Sequence, residues 1–325
     1  MHKIHHIKSF VLSFALTALS FSVKAQSGIT KVTVLTDSVQ DAMEYPVLSN
    51  SPAIVHIPIV DYTGKTIPVV EVKISGVPYR FIFDTGCSNT TFNTNYITQS
   101  PGDSLVLFGG ASGPNSSVRA VSLVKAADFE FGEIKVDELT MMTAAFTNPG
   151  KAAYGVIGLN LVRDYDMLFD WRNDEILLIN PDSTDMILDK QYKIKESIPV
   201  FYYTDPYYIG IDCQVNGKRI RLHIDTGAFR TLLPDDVSNK GNRHVNKKIL
   251  KPRKGRAYQI QYKEYTSDRV TLTLGNQKYR RVKVILGEYV RSERHDYGGL
   301  LGNNVLQRQP ILISMKSGKL LLLKH

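Results

Sequence analysis

Asp84 and Asp225 each stand at the end of an apolar run, Phe81-Ile82-Phe83 and Leu222-His223-Ile224, and each is followed by threonine and glycine. Such a run reads as a buried strand, and the Asp-Thr-Gly that follows as the place where the chain turns. An ionised carboxylate delivered there is costly unless it is paired, hydrogen-bonded or protonated. Two such sites in one chain can satisfy each other. If the turns meet, both carboxyls cannot ionise together, and one keeps a proton at a pH where the other is charged. That places an acid and a base side by side.

The residues around the two carboxylates repeat as well. Ile67 to Gly86 and Tyr208 to Gly227 align at an offset of 141, with Ser75-Gly76 over Asn216-Gly217. Each predicts two strands joined by a tight turn of the Asn-Gly type, the second strand ending at the Asp. Phe129 to Gly132 lies over Leu272 to Gly275 at 143, and Val156-Ile157-Gly158 over Leu300-Leu301-Gly302 at 144. Each half closes on a hairpin, Met167 to Asp170 with Ile176 to Ile179, and Ile311 to Ile313 with Leu320 to Leu322. Helical periodicity is weak, with short helices predicted only after Gly158 and Gly302. The chain reads as an internal duplication, mostly β, in two similar lobes.

With both Asp-Thr-Gly motifs in a duplicated frame, the chain resembles the aspartic peptidases of the retropepsin and pepsin group. The resemblance covers roughly Ile67 to the C-terminus. It implies an all-β fold of two retropepsin-like barrel lobes related by a pseudo-two-fold axis, with the site between them, and a monomeric endopeptidase acting on peptide or protein without metal or other cofactor. It implies catalytic roles for Asp84 and Asp225, which hold and activate a water. Thr85 and Thr226 would bond across to the opposite loop, and Gly86 and Gly227 would admit close backbone approach. Val156 to Gly158 and Leu300 to Gly302 would pack beneath the loops. The family's flap has its candidate in Gly109, Gly110, Ser112 and Gly113, whose glycines would form a mobile tip; a flexible surface loop is the plainer alternative. The corresponding stretch of the second half, Lys251 to Arg256, is basic and reads as a solvated loop or a charged flap.

The sequence departs from the pepsin-like pattern directly after each motif. Cys87 and Ala228 stand where a hydroxyl often stabilises the charged carboxylate, so the pH optimum is expected nearer weakly acidic or neutral than strongly acid. His223 shares a strand with Asp225 and reads as a half-buried, satisfied histidine that could also influence it. Cys87 and Cys213 occupy non-equivalent places and read as unpaired apolar thiols, with pairing left open.

The expected organisation is a signal peptide over 1–25, a lead-in over 26–66, a first lobe over 67–180, a linker over 181–195 and a second lobe over 196–325. The first segment has basic Lys3 and Lys8, an apolar stretch and a Val23-Lys24-Ala25 cleavage site, which predicts export to a periplasm or the exterior. No later run is long enough to cross a bilayer. At 325 residues, 43% hydrophobic and 22% charged, the composition is that of a globular protein, and it excludes a disordered or fibrous one. Loss of Lys3, Lys8 and Lys24 takes the net charge from +9 to +6. From Gln26 to Asp185 there are 10 Lys+Arg against 19 Asp+Glu, net −9; from Met186 onward, 27 against 12, net +15. Either the lobes attract each other, or the basic half meets an anionic partner. Its charges lie among turns without an aromatic platform, so nucleic acid is not expected. Two alternatives to the peptidase stay open: a catalytically silent peptide-binding scaffold and a polyanion-binding module.

Overall fold

A computed structural model describes residues 34–38, 52–63, 66–93, 95–96, 105–112, 119–144, 153–204, 207–234, 265–287 and 298–324. The first half runs through β1 (Val34–Ser38), β2 (Ile54–Pro58), β3 (Asp61–Thr63), β4 (Ile67–Ile74), β5 (Val77–Phe83), β6 (Thr91–Asn93), β7 (Leu105–Ser112), β8 (Arg119–Phe131), β9 (Ile134–Ala144), β10 (Gly155–Ile157), α1 (Leu159–Val162), β11 (Asp166–Asp170) and β12 (Glu175–Ile179). After α2 (Thr184–Gln191) come β13 (Lys193–Thr204), β14 (Tyr207–Val215), β15 (Lys218–Ile224), β16 (Leu232–Pro234), β17 (Tyr265–Leu274), β18 (Gln277–Gly287), β19 (Leu300–Leu301), α3 (Asn303–Leu306), β20 (Ile311–Ser314) and β21 (Lys319–Lys324).

Each half closes a six-stranded barrel. In the first the order is β4-β5-β10-β6-β9-β8, with β8 returning to β4; in the second it is β14-β15-β19-β16-β18-β17, with β17 returning to β14. The aligned hairpins β4–β5 and β14–β15 turn as their sequences predict. Ser75 and Gly76 have φ of 49° and 77°, Asn216 and Gly217 of 50° and 86°. Two successive left-handed residues match the right-handed twist of the flanking strands.

A third sheet joins the halves, in the order β13-β21-β20-β11-β12-β2. At its centre Met167, Leu168 and Phe169 pair with Ile313, Leu312 and Ile311. Leu168 and Leu312 are repeat equivalents at an offset of 144, so the pseudo-two-fold axis passes through their pairing. The four central strands β21, β20, β11 and β12 are covered on both faces, which explains why they are apolar without alternation, whereas the edge strands β2 and β13 alternate. Met167, Phe169, Ile176, Ile311, Ile313 and Leu322 face the barrel interiors, in one core continuous across both lobes. Leu168, Leu177, Leu312 and Leu321 face the other way, onto Ile187 and Leu188 of α2.

Within the lead-in, Val55 and Ile57 of β2 are 0% and 1% exposed, because β2 is the last strand of the shared sheet. One sequence expectation changes here. The polar stretch read as a linker contains α2, with Ser183 in the N-cap position and Asp185 in the first turn. Burying Ile187 and Leu188, at about 1.5–3 kcal/mol each, favours a helix too short to declare itself by periodicity. The leader segment 1–25 and the basic stretch 251–256 lie outside the described residues. No helix among the described residues is long and apolar enough to cross a membrane.

Candidate active site

β5 and β15 carry the two carboxylates to the junction of the lobes. β10 and β19 run parallel beside their ends, and the Ile157 and Leu301 carbonyls accept the N–H of Asp84 at 3.1 Å and of Asp225 at 3.0 Å. Val156 to Gly158 and Leu300 to Gly302 therefore fix the backbone of the two turns as well as pack beneath them.

Thr85 and Thr226, both 0% exposed, lock the turns together. The Thr85 hydroxyl donates to the Ile224 carbonyl at 2.8 Å and accepts the Thr226 N–H at 3.1 Å. In mirror fashion the Thr226 hydroxyl donates to the Phe83 carbonyl at 2.9 Å and accepts the Thr85 N–H at 3.0 Å. Four buried hydrogen bonds thus cross between the halves in the space of two residues. Gly86 and Gly227 are needed for this approach. A Cβ at Gly86 would lie 2.6 Å from Cγ of Asp225, and one at Gly227 would overlap the Asp84 carboxyl. The turns meet with no room for a methyl group between them.

The two carboxyls come close enough at this junction that each shifts the other's titration. Burial pushes both above the usual carboxylate range, but unequally. Asp84 is raised by burial, against which the Gly86 N–H, Asp225 and the Gly227 N–H favour its charged form. Oδ1 of Asp84 accepts Gly86 N–H at 2.7 Å and Gly227 N–H at 3.1 Å. Asp225, 8% exposed, is raised further, by burial first and then by the charge on Asp84; the Ala228 and Gly227 amides oppose this more weakly. The arrangement puts the negative charge on Asp84 and the shared proton on Asp225.

Cys87 and Cys213 are unpaired. Burial, followed by the charge on Asp84, pushes the Cys87 thiol up to about 12, so it stays protonated, with Sγ donating to the Asn89 carbonyl at 3.0 Å. It therefore offers no thiolate. His223 is fully rather than half buried, 3% exposed, with Nε2 at 3.3 Å from the Thr85 carbonyl and its ring edge-on to Tyr208. Of the flap candidates, Gly109, Gly110 and Ser112 lie within β7, paired with Ser122, Val121 and Arg119 of β8, so they form ladder rather than turn. Gly113 lies outside the described residues. Among the described residues no three His, Cys, Asp or Glu side chains converge as a metal site would require.

Sequence reasoning passed over the residues that brace the turns from below. Asn160 Oδ1 accepts the N–H and hydroxyl of Thr90 at 2.6 and 2.9 Å, and Asn304 Oδ1 those of Thr231 at 2.7 and 3.0 Å. The signal was present: Thr90 and Thr231 each stand six residues after their Asp, at the same offset of 141. Asn303 of α3 had no such signal. Its Nδ2 donates to the Thr226 carbonyl at 2.6 Å and to the Thr66 carbonyl at 2.9 Å, tying the Asp225 turn to the start of the first barrel.

Comparison with known proteins agrees with this geometry. Residues 70–161 match a family model described as aspartyl protease. No curated protein matches the sequence. Among solved structures the chain is similar to an aspartic proteinase from Irpex lacteus, at 12% identity and a TM-score of 0.54, over 83% of this chain and 97% of that one. It is also similar to conglutin gamma, a basic 7S globulin from lupine seeds, at 11% identity and a TM-score of 0.51, over 85% and 96%. At such identities the likeness is one of fold.

Proposed function

We propose, from a fold that is that of the pepsin-like aspartic proteinases, that this chain is an exported endopeptidase whose Asp84 and Asp225 hydrolyse peptide bonds. Export is inferred from the leader, chemistry from the site. The observation that supports it best is the meeting of two buried carboxyls on duplicate turns that Thr85 and Thr226 lock together, with the titration of both raised and coupled. Fold alone would not suffice, since a seed globulin shares it.

In this mechanism Asp84 takes a proton from a water held between the carboxyls as its oxygen adds to the scissile carbonyl carbon, while Asp225 gives its proton to the carbonyl oxygen. The resulting diol collapses as the proton on Asp84 passes to the leaving nitrogen, the C–N bond breaks, and a diol proton returns to Asp225. The threonine lock keeps both carboxyls in place throughout, so little reorganisation accompanies reaction. With both carboxyls raised and no hydroxyl at position 87 or 228, activity is expected to peak at weakly acidic to neutral pH.

The test is incubation of the chain from Gln26 onward with a mixed peptide library, with and without a statine-type transition-state mimic. Cleavage blocked by the mimic, and lowered roughly a thousand-fold in both Asp84→Asn and Asp225→Asn, is the expected result. A wild type that binds peptides but leaves them intact would instead identify a silent scaffold.

A further inference from the structure

The two turns are alike in sequence, yet the groups that reach them come unequally from the two halves. Oδ1 of Asp84 accepts two peptide N–H groups, from Gly86 and Gly227. Oδ1 of Asp225 is buried with no hydrogen-bond partner, and the Ala228 and Gly227 amides favour its charge less than burial and Asp84 oppose it. Each of the two donor peptides is itself capped on its carbonyl side. The Thr85–Gly86 peptide is capped by His223 Nε2 at 3.3 Å, and the Thr226–Gly227 peptide by Asn303 Nδ2 at 2.6 Å. A carbonyl has no proton to give, so His223 Nε2 carries one and donates it.

Both caps belong to the second half. Their repeat equivalents in the first half, at offsets of 141 and 144, are Ile82 and Leu159, which have no donor. A peptide whose carbonyl accepts a hydrogen bond is polarised and becomes a stronger donor through its N–H, by about 10–30% per bond. Here two peptides polarised in this way converge on one oxygen of one carboxyl. Ionisable groups beside the pair are the Cys87 thiol, held neutral, and His223, whose ring meets Tyr208 edge-on.

We propose that His223 and Asn303 are positioning residues that act through the Thr85–Gly86 and Thr226–Gly227 peptides to hold the negative charge on Asp84, leaving the shared proton on Asp225. The inference rests on the dyad reading above and adds to it the residues that break the symmetry of the pair. The duplication supplies its own control, because His223→Ile and Asn303→Leu install what the first half carries.

The experiment follows the aspartate carboxyl 13C resonances of the mature chain with pH, the two of interest assigned by their loss in Asp84→Asn and Asp225→Asn, alongside the pH profile of kcat/KM on the peptide library. Each substitution is expected to raise the lower apparent pKa of the pair by several tenths of a unit, and the double variant by more. His223→Gln, which keeps a donor but cannot become charged, is expected to leave it at the wild-type value. A lower pKa unmoved in the double variant overturns the proposal, as does a shift in His223→Gln equal to that in His223→Ile. If Asn303→Leu does not fold, the comparison of His223→Ile with His223→Gln decides alone. The carboxyl titration reads the pair whether or not peptides are cleaved. A wild type that cleaves nothing therefore counts against the peptidase, and an unmoved titration counts against the relay.

Discussion

At the scale of single residues, the same substitution separates chemistry from chain geometry. Gly217 turns a hairpin at φ 86° with open space around it, so Gly217→Ala meets only backbone strain of about 1 kcal/mol. Gly227 has no such room, since a methyl there collides with the Asp84 carboxyl. Gly227→Ala is expected to lower kcat/KM by about a hundred-fold or more, through displacement of that carboxyl, while Gly217→Ala lowers the unfolding midpoint and leaves kcat/KM near wild type. Equal loss of activity in both would contradict the close approach. The dyad also makes stability depend on pH. Both carboxyls are raised above the unfolded value of 3.8. Their contribution is therefore fully present below about that pH and is lost as pH rises and the buried pair is forced to ionise. The loss extends over the widest pH range for Asp225, whose raised value lies further from the unfolded one. Asp225→Asn removes that group from the titration. Its unfolding free energy is expected to gain on the wild type by roughly 1 kcal/mol per pH unit between the unfolded value and the folded one. Urea unfolding of both proteins from pH 4 to pH 8 checks this, and curves that run parallel would refute it.

At the scale of elements, the turns are only as well placed as the helical starts that brace them. Asn160→Leu leaves the N–H and hydroxyl of Thr90 without their buried acceptor. It is expected to cost about 2–4 kcal/mol in urea unfolding and to lower kcat further than Asn216→Ala, which touches the distal β14–β15 turn and Thr271 of β17, away from the carboxyls. What was legible in the sequence was local. The paired hairpins could be read because their alternation and their Ser-Gly and Asn-Gly turns lie within about twenty residues of each Asp. The short helices α1 and α3 could be read because a glycine precedes each at the same place in the repeat. What was not legible depends on strands far apart in the chain. β11, β12, β20 and β21 read as two terminal hairpins, but the pairing of β11 with β20 across 144 residues, and the helix laid over it, exist only once both halves are folded. The glycines of the flap candidate suggest a mobile hairpin tip, yet an eight-residue register with β8 places Gly109 and Gly110 in the ladder of that hairpin, short of its connecting residues. His223 could be read only as a neighbour of Asp225, because the Thr85 carbonyl it meets is brought to it by the lock between halves, and Asn303 could not be read at all, because α3 and the Asp225 turn it bonds lie 77 residues apart in the chain.

At the scale of the whole molecule, the acidic first half and the basic second half invite the view that charge holds the lobes together. The described contacts between them are of another kind. The shared sheet pairs Met167, Leu168 and Phe169 with Ile313, Leu312 and Ile311, all fully buried, and the one core runs through both barrels. The ion pair of Lys316 with Asp182, which ties the second lobe to the connecting segment, is exposed on both sides and open to screening. Lobes joined by an apolar sheet are expected to unfold together and to be little affected by salt. Trp171, the single tryptophan, reports on this junction, because its ring stacks on Phe169 and its N–H donates to the Leu306 carbonyl of the second half at 3.0 Å. Its fluorescence and the far-ultraviolet circular dichroism should therefore follow one transition in urea, with a midpoint that moves little between 0.05 and 1 M NaCl. Leu312→Ala, at the pseudo-two-fold axis, should shift both signals together by about 2–5 kcal/mol. Two separated transitions, or a midpoint that falls steeply with salt while Leu312→Ala is nearly silent, would show that opposite charge and not the shared sheet holds the lobes together.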